Sequence, residues 1–236
     1  MKVLILTATQ AEYQALDRVL APKTFARLSC RLALTGPGKI NAALACAGLL
    51  EKINPDFLLV CGTAGTLDLS LRAGDTVVSR EVIIGDWYHW DGAEYQTGPY
   101  GAFDYGPPTA ERVESMVLRP PAGWLDQYWQ LLGQRDFRPG RIFSSDIFAA
   151  GRDLKLSLGR TYGCLICEME GGAIAWTARV LKKDLPWLHL RAAADTLDDS
   201  LADYFELEAG VTEILAQRVI EALEILDSLR PVPPGP

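Results

Sequence analysis

The chain has 236 residues, 49% of them hydrophobic, and a formal net charge of −7. That apolar content supplies one large core, and the acidic balance excludes the basic face that a nucleic-acid backbone requires. The longest basic run, Arg179 with Lys182 and Lys183, falls late on a helix, where positive charge complements the negative helix end. The apolar opening, residues 1–6, is too short for a signal-peptide core with a cleavage site, and no stretch approaches a membrane span. A soluble, cytoplasmic protein without a membrane partner is expected.

In chain order, residues 2–7 form a β-branched and leucine-rich strand and residues 11–20 an amphipathic helix, with Glu12 in the turn between them. Residues 25–35 hold one or two strands, and Gly36-Pro37-Gly38-Lys39 introduces a helix over 40–51. Residues 57–61 form an apolar strand running into a small-residue loop, Gly62-Thr63-Ala64-Gly65-Thr66, where ligand atoms can approach the backbone closely. A turn at Gly74-Asp75 precedes a strand that extends from Thr76 towards Ile84. Residues 86–108 carry Trp87, Tyr88, His89, Trp90, Tyr95, Tyr100, Phe103 and Tyr105 among glycines and prolines, as a lid or a packed surface loop would. A helix over 121–133, a strand over 138–143 and a loop over 144–149 follow. Residues 187–193 form a strand leading to Asp195, and 206–229 a long helix with apolar residues three or four apart. Residues 230–236 read as a disordered, proline-rich tail to a single domain spanning 1–229.

The stretch 164–178 organises the rest. Leu165-Ile166-Cys167 ends a buried strand and Gly171-Gly172-Ala173-Ile174 begins a helix, so Glu168 and Glu170 lie at the junction. Carboxylates in an apolar run need a partner. Two readings stand: a polyhydroxylated ligand compensates them, or one of them caps the helix. The five cysteines, Cys30, Cys46, Cys61, Cys164 and Cys167, read as small core residues. Cys164 and Cys167 form a C-x-x-C, but His89 and His189 are distant from it in sequence, and no metal site is expected.

Acids therefore follow three apolar strands: Glu12, Glu168 with Glu170, and Asp195. Converging carboxylates suit cleavage of a glycosidic bond, with one group protonating the leaving group and another activating water. Several ordered segments carry a resemblance: Glu12 after the first strand, Gly36-Pro37-Gly38-Lys39-Ile40-Asn41, Gly62-Thr63-Ala64-Gly65, Ala73-Gly74-Asp75-Thr76, Glu168-Met169-Glu170-Gly171-Gly172-Ala173 and Arg191-Ala192-Ala193-Ala194-Asp195. Together they resemble the nucleoside phosphorylase/nucleosidase superfamily, most closely its methylthioadenosine/S-adenosylhomocysteine nucleosidases.

The resemblance implies a three-layer α/β/α sandwich with a mixed, twisted central sheet, consistent with the alternation of strands and helices. It implies no cofactor, a small-molecule purine nucleoside as substrate, and a homodimer with residues 86–108 near the interface or the pocket. Glu12 would activate water and Asp195 would protonate the purine. Substrate contacts would come from Thr63, Phe148 stacking on the base with Ala149 beside it, Glu168, Met169, Glu170 on the ribose hydroxyls, and Arg191. Burial behind Phe148 and the strand over 188–193 is expected to keep Asp195 in its protonated form. Thr63 and Ala194 stand where the family has serines, and 86–108 departs from its pattern, so the 5′ group is open between methylthioadenosine-type and futalosine-type substrates. A phosphorylase and a non-catalytic nucleoside binder are the rival classes.

Overall fold

Five consecutive buried residues make β1 (Lys2–Thr7) a strand covered on both faces, as parallel neighbours in an α/β sheet require. A computed structural model describes residues 1–123, 125–196 and 201–229, with 201–205 and 208 described by backbone alone; the expected tail at 230–236 lies outside the described residues. Thr9 caps α1 (Gln10–Leu20) by accepting from the Glu12 amide, and Glu12 accepts from the Thr9 amide in return. Next come β2 (Ser29–Leu34), α2 (Lys39–Ile53), which ends where Asn54 takes φ 48°, and β3 (Phe57–Thr66). They are followed by β4 (Thr76–Ser79), β5 (Val82–Ile84), β6 (Tyr88–Trp90), β7 (Tyr95–Thr97), α3 (Ala110–Ser115), β8 (Val117–Leu118), α4 (Leu125–Gly133), β9 (Arg138–Pro139) and β10 (Arg141–Ser144). The chain then forms α5 (Arg152–Tyr162), β11 (Cys164–Glu168), α6 (Gly171–Leu181), β12 (Trp187–Ala193) and α7 (Leu201–Ser228).

Among the described residues, ten strands form one mixed sheet, and β6 with β7 forms a separate hairpin. Side-chain alternation along β3 builds the layers. Phe57, Leu59 and Cys61 face one side with Ala15 and Leu16 of α1 and Leu215, Val219 and Leu223 of α7. Leu58 and Val60 face the other with Ala42, Cys46 and Leu50 of α2 and Ile174 and Ala178 of α6. The expected three-layer α/β/α architecture is the one observed.

Several local expectations change. The small-residue loop at 62–66 is the second half of β3, held by β12 on one edge and, at Gly65 and Thr66, by β11 on the other. The strand expected from Thr76 divides into β4 and β5, and that expected over 138–143 into β9 and β10. Residues 86–108 contain a hairpin and pack on α6: the Trp87 ring meets Tyr100 at 5.1 Å, and Tyr100 meets Trp176 at 5.1 Å. Helix α5 was not anticipated, because Leu154, Leu156 and Leu158 recur two apart, as on a strand, and Gly159 interrupts the stretch.

Candidate active site

β1 pairs with β3 only as far as Leu6 opposite Val60, and beyond that point the β3 edge passes to β11, antiparallel. The C-terminal ends of β1, β11 and β12 therefore open onto one stretch of β3, with Arg191 opposite Gly62 and Ala193 opposite Ala64. In α/β sheets such a change of neighbour leaves the crevice where ligands bind. The three predicted acidic points meet here.

Glu12 is 2% exposed. Its Oε2 accepts from Thr7 Oγ1 at 2.8 Å, the Ala8 amide at 3.0 Å and the Thr9 amide at 2.9 Å, and its Oε1 accepts from the Thr63 amide at 2.7 Å and Thr63 Oγ1 at 3.1 Å. One carboxylate thus both caps α1 and holds the β3 segment at Thr63. Thr63, a predicted contact, donates to Glu12 from both its amide and its hydroxyl.

Glu168 and Glu170, two residues apart, meet different partners. Glu168 Oε2 accepts from the Glu170 amide at 3.0 Å, the Gly171 amide at 2.6 Å and Arg191 Nη2, so Glu168 caps α6. Glu170, the residue at the N-cap position, makes no side-chain capping bond there. It reaches across to accept from the Gly38 amide at 2.9 Å, and its Oε2 lies 3.9 Å from Arg191 Nη2. Met169 between them is half-buried.

Arg191 is 1% exposed and ties these acids together. Burial works against its charge, but Glu168, Glu170 and Glu12 outweigh it and hold the guanidinium firmly protonated. Burial also pushes the Glu170 carboxyl up to about 7, with the Glu168 charge adding to the rise and Arg191 opposing it. His189 on the same strand is kept neutral by burial and by Arg191.

Asp195 is 2% exposed, and its Oδ1 accepts from the Thr66 amide at 2.6 Å. Its Oδ2 accepts from Lys155 Nζ at 2.7 Å. The expectation that Asp195 lies in surroundings that preserve its proton is therefore corrected: an ammonium stands against it, and a carboxylate is the form that accepts these bonds. Phe148, on the loop after β10, is 40% exposed, while Ala149 is buried. That loop adjoins β11 through the Ser145 amide, which donates to the Glu168 carbonyl at 2.9 Å.

Sequence reasoning missed Lys155, and also a rim cluster in which Lys39 Nζ pairs with Asp86 and the Lys39 amide donates to Asp146 Oδ1 at 2.9 Å. The signal for the latter was the Gly36-to-Lys39 turn. For Lys155 there was none, since a lysine in a stretch without an assigned element reads as solvated. Among the described residues, no three of His, Cys, Asp and Glu converge to hold a metal ion, and no helix is long and apolar enough to cross a membrane.

Residues 22–227 match the sequence model of the phosphorylase superfamily. The 5′-methylthioadenosine/S-adenosylhomocysteine nucleosidase of Staphylococcus aureus (strain MRSA252) is 29% identical over 193 residues, covering 80% of this chain and 78% of that one. Among solved structures, the corresponding Helicobacter pylori nucleosidase, complexed with a pyrrolidine-based ligand, superposes with a TM-score of 0.75 at 18% identity, covering 95% of this chain and 98% of that one. A futalosine hydrolase mutant of Helicobacter pylori superposes with a TM-score of 0.77 at 17% identity, covering 97% of this chain and 100% of that one.

Proposed function

The chain belongs to the phosphorylase superfamily, and on that footing we infer that it hydrolyses the N-glycosidic bond of a 5′-modified purine nucleoside of the methylthioadenosine/S-adenosylhomocysteine type, releasing the free base. The observation that carries this reading is the engagement of Thr63 by Glu12. Phosphorolysis needs donors and positive charge for a phosphate beside the sugar. Here the Thr63 amide and hydroxyl, which could serve such an anion, are both taken by the Glu12 carboxylate. A second anion is disfavoured at that place, and water is the nucleophile that suits it.

Glu12 takes a proton from the attacking water as its oxygen bonds to C1′. Glu170 accepts from the ribose hydroxyls, and the two carboxylates stabilise the positive charge that develops on the sugar. Asp195 serves the purine ring nitrogen, because a purine leaves poorly as an anion. Arg191 keeps Glu168 and Glu170 in place. Phe148, Ala149 and Met169 line the base and sugar.

The working form is read as a cytoplasmic homodimer, and the side chains offered to a second copy are Ile40 and Leu44, a turn apart on α2 and 75% and 71% exposed. Incubation with methylthioadenosine, with and without phosphate, tests the reaction. Free methylthioribose in both cases is the expected product, and a sugar 1-phosphate that appears only with phosphate would replace hydrolysis by phosphorolysis. The same assay with futalosine separates the two candidate 5′ groups.

A further inference from the structure

Lys155 lies in the first turns of α5 and is 1% exposed, among the largest fully buried side chains of the protein. A buried ammonium is costly unless it is paired and hydrogen-bonded. Its Nζ donates to Asp195 Oδ2 at 2.7 Å and to the Thr196 carbonyl at 2.9 Å. The other Asp195 oxygen accepts from the Thr66 amide at 2.6 Å, and the Asp195 carbonyl accepts from Thr66 Oγ1 at 2.8 Å. Both carboxylate oxygens thus already accept hydrogen bonds. Asp195 enters the reaction as an anion, without the proton that a leaving purine needs, and the acidic proton in contact with it is that of Lys155.

We propose that Lys155 is the positioning residue of Asp195 and the source of the proton that Asp195 passes to the leaving base. This rests on the nucleosidase reading above and deepens it. As the bond from C1′ to the purine breaks, its electron pair stays on the purine. An N–H bond of Lys155 breaks as an O–H bond forms on Asp195, and that proton moves on to a purine ring nitrogen. Lys155 is left as a neutral amine and Asp195 again as a carboxylate. The proton that Glu12 took from water leaves to solvent, and Lys155 recovers one from solvent, so one water is consumed for each bond cleaved.

The test uses the intact protein with Lys155→Met, Lys155→Arg, Asp195→Asn and the Lys155→Met/Asp195→Asn double variant, on methylthioadenosine and on p-nitrophenyl β-D-riboside, whose leaving group needs no proton. Lys155→Met is expected to lose about 100-fold in kcat on methylthioadenosine, with KM changed less than about threefold and nitrophenyl riboside cleavage close to wild type. Lys155→Arg keeps the charge but does not release its proton, and stays slow on methylthioadenosine. The double variant carries neither buried charge, so it tests the idea even where Lys155→Met folds poorly. It is expected to be no slower than Asp195→Asn, because Lys155 acts through Asp195.

Equal losses on both substrates would make Lys155 structural, and full activity in Lys155→Arg would leave it a role in charge alone. A double variant slower than Asp195→Asn by the whole Lys155→Met factor would make the two residues independent. Each of these results overturns the proposal while leaving the nucleosidase reading standing. A wild-type protein inert to every purine nucleoside sinks both.

Discussion

Arg191 stands directly across the strand ladder from Gly62, and its guanidinium occupies the space that a side chain at position 62 would need: a Cβ there would lie 2.2 Å from Arg191 Nη1 and 2.9 Å from Glu12 Oε1. The guanidinium cannot easily swing aside, because Nη2 is paired with Glu168. Gly62→Ala is therefore expected to cost about 1–3 kcal/mol, in the range of overpacked cores, and to reduce turnover by displacing Glu12. Denaturant melts with parallel rate measurements decide it, and wild-type values in both would show that Arg191 has room to move.

Glu12→Gln removes the base but leaves the contacts proposed for ribose and purine. Turnover should fall by about two to four orders of magnitude, the span of a positioned general base, while adenine binding stays near wild type. The amide also turns an NH2 group towards some of the five donors that the carboxylate satisfies. The melting temperature should therefore drop as well. Undiminished turnover would assign the base elsewhere.

Glu170 makes the free enzyme sensitive to pH. Its carboxyl is raised from 4.5 to about 7 by burial, assisted by Glu168, so the folded protein holds this proton more tightly than the unfolded chain does. The associated stability is fully present below about pH 4.5 and is lost as pH rises through about 7, on the order of 3 kcal/mol in all. Catalysis runs the other way, since the sugar cation needs the carboxylate: kcat/KM should climb through pH 7. Glu170→Gln should abolish both trends, and a variant that kept the acid limb of the rate profile would assign it to another group.

Sedimentation at micromolar concentration should give a dimer mass. Replacing Ile40 and Leu44 by glutamate should shift it to monomer, since both side chains stand exposed on α2. A wild-type monomer under those conditions would remove the homodimer from the proposal.

Legibility in the sequence followed how local the deciding physics was. The apolar runs of β1 and β12 and the apolar spacing of α7 announced those elements, because burial on a strand or helix leaves its own period in the chain. The 62–66 segment read as a loop because small residues weaken the strand pattern, yet two neighbouring strands supply its hydrogen bonds. The hairpin of β6 and β7 was hidden among glycines, and α5 by leucines spaced two apart.

By itself the sequence determined the alternation of strands and helices, the layered architecture and the presence of acids just beyond three buried strands. Only the tertiary structure decided what each acid meets. Glu168 and Glu170 are indistinguishable by composition, but one turns back to the start of α6 while the other meets Gly38, 132 positions away. Asp195 looked like an acid waiting with its proton until Lys155, 40 positions earlier, was found against it. Periodicity records whether a side chain is buried, whereas the charge state and role of a buried group depend on which distant atoms the fold brings within hydrogen-bonding distance.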